Sequence, residues 1–112
     1  MAAPNIVNLT QENFGTEVLQ SSTPVLVDFW GEYCAPCRAL GPILDVLAEE
    51  YDGRVKIGKV NVENQQALAS NYNVNAVPTM LLFQGGKPTK QMVGLKGKAE
   101  LKATFDEAVK PR

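Results

Sequence analysis

The sequence predicts an α/β protein with a mixed central β-sheet of about five strands flanked by four helices. Three observations carry that expectation. Segments of strand character alternate with segments of helical period along almost the whole chain. The stretch PVLVDFW, residues 24–30, is β-branched, aromatic and nearly all apolar, the pattern of a strand buried on both faces. A Gly85-Gly86 pair separates two strand-like runs, which adds an antiparallel hairpin to strands otherwise joined by helices.

Each element has its own warrant. Residues 5–9, NIVNL, read as a short first strand. Thr10 is placed to cap a helix over about 11–20, with Phe14, Val18 and Leu19 on its buried face. SSTP interrupts it, and the strand 24–30 follows. From about Cys34 to Glu50 the period changes: Leu40, Ile43, Leu44 and Leu47 fall at i, i+3, i+4 and i+7. Pro36 sits in the first turn of this helix, where proline is tolerated, and Pro42 lies inside it, where a kink is expected. Asp52-Gly53 ends it. RVKIGKVNV (54–62) reads as a strand and NQQALASNY (64–72) as a short helix. PTMLLFQ (78–84) and PTKQMVG (88–94) are the hairpin strands. A last helix over about 97–109 has Leu101, Phe105, Ala108 and Val109 on one stripe. The order is β-α-β-α-β-α-β-β-α, read as one domain over 1–112, with only the first few and last two residues expected to be loose.

Composition removes several functions. Eleven basic residues face twelve acidic ones, and no run of like charge exceeds two residues, so no nucleic-acid partner is expected. The apolar run Val25-Leu26-Val27 is far too short to cross a bilayer, and no membrane association is expected. MAAPNIVNL lacks the basic and long apolar regions of a secretory leader; a cytoplasmic protein is expected, and a processed organellar stromal protein has the same appearance. There is no histidine, so neither a Ser–His nor a Cys–His nucleophilic pair can be built. Two cysteines without histidine cannot close a tetrahedral zinc site within one chain, so no metal is expected; a metal shared between two chains is the remaining metal reading.

Both cysteines, Cys34 and Cys37, lie in WGEYCAPCRALGP (30–42), between a buried strand and a helix. Residues i and i+3 are neighbours on a helix face, so the sulfurs can come within bonding distance. The first-turn N–H groups lack partners inside the helix and the macrodipole is positive there; both favour a thiolate at Cys34, and Arg38 adds positive charge nearby. Such a thiolate could attack a disulfide on another protein, and Cys37 could resolve the mixed disulfide. Two other readings stay open from the residues alone: two inert, small apolar side chains, or a structural bridge, although so short a loop restrains little of the unfolded chain. A CxxC that opens a helix after a buried strand favours the redox pair.

VLVDFWGEYCAPCRALGPILDVLAEEY resembles the active-site strand and helix of the thioredoxin family. VKIGKVNVENQQALASNYNVNAVPTMLLFQGGK resembles the family's central segment, and VGLKGKAELKATFDEAV its C-terminal end, so the resemblance covers about residues 5–110. It implies a thioredoxin fold and a protein-disulfide reductase that needs no bound cofactor, because the Cys34–Cys37 dithiol itself carries the two electrons. It implies protein disulfides as substrates and a thioredoxin reductase, NADPH- or ferredoxin-linked, as the electron donor; a monomer is expected.

The resemblance also assigns roles. Cys34 matches the exposed nucleophile and Cys37 the buried resolving thiol. Asp28 matches a buried carboxylate that helps move the Cys37 proton; without a partner its pKa should be raised, unless the strand end leaves it solvated. Lys59 matches a lysine near that carboxylate. Pro78 matches a cis-proline facing the disulfide, which leaves the Val77 backbone free to bond an extended substrate. Gly94 matches a glycine on the apolar surface around the site, Trp30 the tryptophan under the active-site loop, and Pro42 a helix-kinking proline. The usual motif is W-C-G-P-C, whereas this chain has YCAPC: Tyr33 and Ala35, beside Pro36, alter the contact surface without removing a reacting group.

Two other functions compete. An oxidase or isomerase of the same fold is disfavoured by the absence of a recognisable leader and by the Ala35-Pro36 dipeptide, which resembles reductants. A redox-silent scaffold would leave Cys34, Cys37, Asp28 and Lys59 together without a reason.

Overall fold

The computed structural model describes residues 3–110. The alternating apolar and helical patterns fold as β1 (Val7–Asn8), a π-helical segment (Gly15–Leu19), β2 (Val25–Trp30), α1 (Ala35–Glu50), β3 (Lys56–Asn61), α2 (Gln66–Asn71), β4 (Thr79–Gln84), β5 (Lys87–Val93) and α3 (Lys98–Val109). The sheet order is β1-β3-β2-β4-β5. β1 and β2 run parallel to β3, while β4 is antiparallel to both β2 and β5. The sheet is therefore mixed, as expected. Its edges differ in kind: β1 is two residues long, and β5 carries Lys87, Pro88 and Lys90, which discourage further pairing.

β2 is the centre of the sheet, hydrogen-bonded on both edges and covered on both faces, which is why its sequence is almost continuously apolar. Its side chains alternate between two cores. Leu26 packs with Leu40, Leu44 and Leu47 of α1 and with Leu101 and Phe105 of α3. Val25, Val27 and Phe29 pack with Phe14, Val18 and Leu68 on the other side. Asp28 shares the phase of Leu26, so its carboxyl points toward α1. Tyr51, fully buried at the end of α1, ties that helix to α3: its hydroxyl donates to Asp106 and accepts from Lys102 Nζ at 3.1 Å.

Several expectations need correction. The helix over 11–20 is a five-residue π-helical segment preceded by turns, in which the Gln20 N–H donates to the Gly15 carbonyl at 2.9 Å. The wide turn keeps Phe14 and Val18 buried but swings Leu19 outward, where it is 43% exposed. What Leu19 contributes instead is its carbonyl, which lies 2.8 Å from where a Cβ on Gly86 would sit. Gly86 also has φ +81°, so the hairpin turn has two reasons to hold glycine there. Thr10 does act as a cap, accepting from the Asn13 N–H at 3.3 Å while Asn13 Oδ1 accepts from the Thr10 N–H. Pro42 lies inside α1, as the sequence placed it. The loose ends expected at 1–2 and 111–112 lie outside the described residues. The next residues are tied down, since the Ala3 N–H donates to Asp45 and the Asn5 amide to the Ala48 carbonyl.

Leu44→Ala removes a fully buried side chain from the α1 core and is expected to cost about 2–5 kcal/mol in denaturant unfolding. Val46→Ala, on the solvent side of the same helix, should change stability by less than about 1 kcal/mol. Equal losses would contradict the assignment of the helix's buried face.

Candidate active site

β2 ends at Trp30, and four residues later Cys34 stands as the N-cap of α1 in extended conformation. Its sulfur occupies the place a capping serine oxygen would take, accepting the Cys37 backbone N–H at 3.1 Å. Cys37 follows one turn on; the Cα atoms are 5.2 Å apart and the sulfurs are bonded, so the structure is the oxidised form. Pro36 lies in the first turn, where its missing N–H leaves no helical bond unmade. The Arg38 N–H donates to the Cys34 carbonyl at 3.1 Å and begins the helical ladder. When the bridge opens, the Cys37 N–H and the helix N-terminus are already aimed at Cys34 Sγ, which favours its thiolate.

As whole residues the two cysteines are almost equally buried. Cys34 is 8% exposed and Cys37 7%. The distinction lies in surroundings: Cys34 is the helix cap, whereas Cys37 lines a cavity of about 320 Å³ with Asp28, Trp30, Arg38 and Lys59.

Asp28 is not at a solvated strand end. It is 2% exposed, opposite Lys59 on β3 and Met80 on β4, and its Oδ1 has no hydrogen-bond partner. Burial pushes its pKa from 3.8 up to about 7, against the opposing pull of the Lys59 ammonium. Lys59 is half-buried, and its Nζ passes close to Gly41 in α1. Trp30 Nε1 is likewise buried without a partner.

A second loop meets the first. The Val77–Pro78 peptide is cis. Gly31 packs against Val77, whose Cγ2 lies 3.4 Å from where a Cβ on Gly31 would sit. The Pro78 carbonyl accepts the Gly94 N–H at 2.8 Å, and Gly94 has φ +91°, a conformation that favours glycine. The structure thus joins the loops carrying Cys34, Val77, Pro78 and Gly94. Around them Tyr33 is 90% exposed, Val93 49% and Leu95 48%, with Ala35 and Pro36 also at the surface. Sequence reasoning passed over Val93 and Leu95. Their signal was present: two apolar residues flank Gly94 at the end of a strand whose other exposed positions are Lys87, Pro88, Thr89, Lys90 and Gln91.

Among the described residues no group of three or more His, Cys, Asp or Glu side chains could hold a metal ion, and no helix is long and apolar enough to cross a membrane.

A disulfide at a helix N-terminus, with a carboxyl group whose pKa burial raises to about 7 on the cavity Cys37 lines, is the arrangement of a thiol–disulfide oxidoreductase. Residues 5–107 match the thioredoxin family profile, and the chain belongs to that family. It is 45% identical over 104 residues to thioredoxin C-2 of Corynebacterium nephridii, covering 93% of this chain and 96% of the relative. It is 43% identical over 100 residues to a thioredoxin of Chlorobaculum thiosulfatiphilum, covering 89% and 93%. It is also 40% identical over 103 residues to the bifunctional thioredoxin reductase/thioredoxin of Mycobacterium leprae, covering 92% of this chain and 22% of that one. The protein is accordingly a disulfide oxidoreductase that works by dithiol–disulfide exchange.

Because the folded pKa of Asp28 lies above its unfolded value, the folded state holds this proton more tightly. Its stabilising effect is complete below pH 3.8 and is lost as pH rises through about 7. Asp28→Asn should therefore leave stability nearly unchanged in acid and raise it by about 2–4 kcal/mol above neutrality, measured by denaturant unfolding of the oxidised protein. A loss of stability at alkaline pH would contradict the unpartnered, buried carboxyl.

Proposed function

We propose that this protein reduces disulfide bonds in other proteins through Cys34 as nucleophile and Cys37 as resolving thiol. The observation that carries the assignment is the Cys37 N–H aimed at Cys34 Sγ at the cap of α1. The Cys34 thiolate attacks one sulfur of the target disulfide; a mixed disulfide forms and the first target thiolate leaves. Cys37 then loses its proton and attacks Cys34 Sγ, which re-forms the observed bridge and releases the second target thiolate. Two electrons pass to the target, and each of its thiolates takes up a proton.

Asp28, on the same cavity as Cys37, receives the Cys37 proton, and its pKa of about 7 allows it both to take and to return one near neutral pH. Lys59 steadies the charged form of Asp28, the direction in which its ammonium acts. Trp30 supports the loop from beneath. The target's extended backbone lies along Val77, with Pro78, Gly94, Tyr33, Ala35 and Pro36 as its contact surface and Val93 and Leu95 extending it.

The electron carrier is the Cys34–Cys37 dithiol itself, with no bound cofactor. A thioredoxin reductase, NADPH- or ferredoxin-linked, restores the dithiol; a relative that joins a reductase and a thioredoxin in one chain supports such a partner. The whole chain acts as one monomeric domain in the cytoplasm, in electron transfer and redox homeostasis, without nucleic-acid or membrane partners.

Cys37→Ser, reduced and mixed with a disulfide-bonded protein, should accumulate a covalent adduct through Cys34 that dithiothreitol releases. Cys34→Ser should accumulate far less. The opposite order, on non-reducing gels with mass spectrometry of the linked peptides, would reverse the assigned roles.

A further inference from the structure

The loop that carries Tyr33 and Cys34 is also held by a group that the exchange chemistry does not use. The Glu32 N–H donates to both carboxylate oxygens of Glu63, at 3.1 and 3.4 Å. A Cβ placed on Gly31 would lie 3.9 Å from both Glu63 Oε2 and Cys34 Cβ, so the carboxylate stands close beside the nucleophile's backbone. Glu63 is itself fixed. Asn61, the last residue of β3, accepts the Glu63 N–H at 2.9 Å and the Asn64 N–H at 3.3 Å through its side-chain oxygen.

The geometry extends the sheet past its own end. Trp30 and Asn61 are register partners where β2 and β3 finish, and the Val62 N–H donates to the Trp30 carbonyl at 3.0 Å. One residue later the parallel strands diverge and no carbonyl faces the Glu32 N–H. The Glu63 carboxylate oxygen takes that place as the acceptor. The loop 31–33 is thereby bonded to Glu63 as well as packed against Val77.

We propose that Glu63 is a positioning residue for disulfide exchange: it clasps the loop through the Glu32 N–H and so fixes how Tyr33 and Cys34 are presented to a protein substrate. It acts by accepting the hydrogen bond, not by its charge. A glutamine retains an acceptor oxygen of the same reach, whereas an alanine removes it. A small disulfide needs little of the surface around Cys34 and is indifferent to the clasp. A protein disulfide must seat its backbone between the two loops and depends on it.

The inference rests on the assignment of Cys34 as nucleophile, so its test includes a readout free of that assignment. Glu63→Ala and Glu63→Gln are compared with the parent chain for amide exchange at Glu32, for KM and kcat on insulin disulfides, and for the rate with bis-hydroxyethyl disulfide. Glu63→Ala should speed exchange at Glu32 by about ten-fold and raise KM for insulin by about three- to ten-fold, with kcat and the small-disulfide rate unchanged. Glu63→Gln should match the parent in all of them. Unchanged exchange or unchanged KM in Glu63→Ala overturns the proposal. Equal losses in both variants overturn it too, because charge would then be the cause. So does a parallel loss on both substrates with a lowered melting temperature, because the role would then be general stability. If the parent chain fails to reduce insulin, the functional assignment fails, while the exchange at Glu32 still reports whether the clasp exists.

Discussion

A carboxyl group in the middle of a strand that is hydrogen-bonded on both edges and covered on both faces must find a partner or hold a proton. Asp28 has no hydrogen bond at Oδ1, and the half-buried Lys59 only partly offsets its burial. The rest of the site follows from that constraint. Strand alternation puts the carboxyl on the α1 side, against the cavity that Cys37 also lines. A group that would ordinarily be fully ionised at neutral pH has its pKa raised to about 7 on the cavity that Cys37 also lines. The sheet carries an energetic cost at Asp28, and under the proposed mechanism that cost supplies a proton acceptor matched to neutral pH.

The two cysteines differ in local structure and not in residue exposure. Cys34 caps a helix, so its partial negative charge in attack meets N–H groups already in place. Cys37 sits one turn deeper, near the carboxyl. The apolar rim of Tyr33, Val93 and Leu95 then supplies a surface on which a protein substrate can dry the reacting atoms, with loops on either side that set its approach. Ala35 and Tyr33, the two departures from the motif that the resemblance implies, lie on this outer surface.

Much of this architecture could be read from the chain. PVLVDFW announced a strand buried on two faces because no solvated strand tolerates such continuity, and the lone Asp28 within it was conspicuous for the same reason. The α1 stripe of Leu40, Leu44 and Leu47 and the Gly85-Gly86 turn were equally plain. What escaped depended on backbone detail that periodicity does not encode. The π-helical turn at Gly15–Leu19 holds more residues per turn, and so has a smaller angular step, than a 3.6-residue helix, so Leu19 left the face where counting placed it. Glu63 gave no signal because its function depends on where two parallel strands part. That Val93 and Leu95 flank the Pro78 loop required the β4–β5 register.

The state of the Asp28 carboxyl is the point on which this account turns, and it can be observed directly. The carboxyl carbon of Asp28 in the oxidised protein, followed by NMR from acid to alkaline pH, is predicted to titrate with a midpoint of about 7. A midpoint near the ordinary 3.8 would mean that the group is solvated or paired. The link from burial in β2 to the chemistry of Cys37 would then be broken.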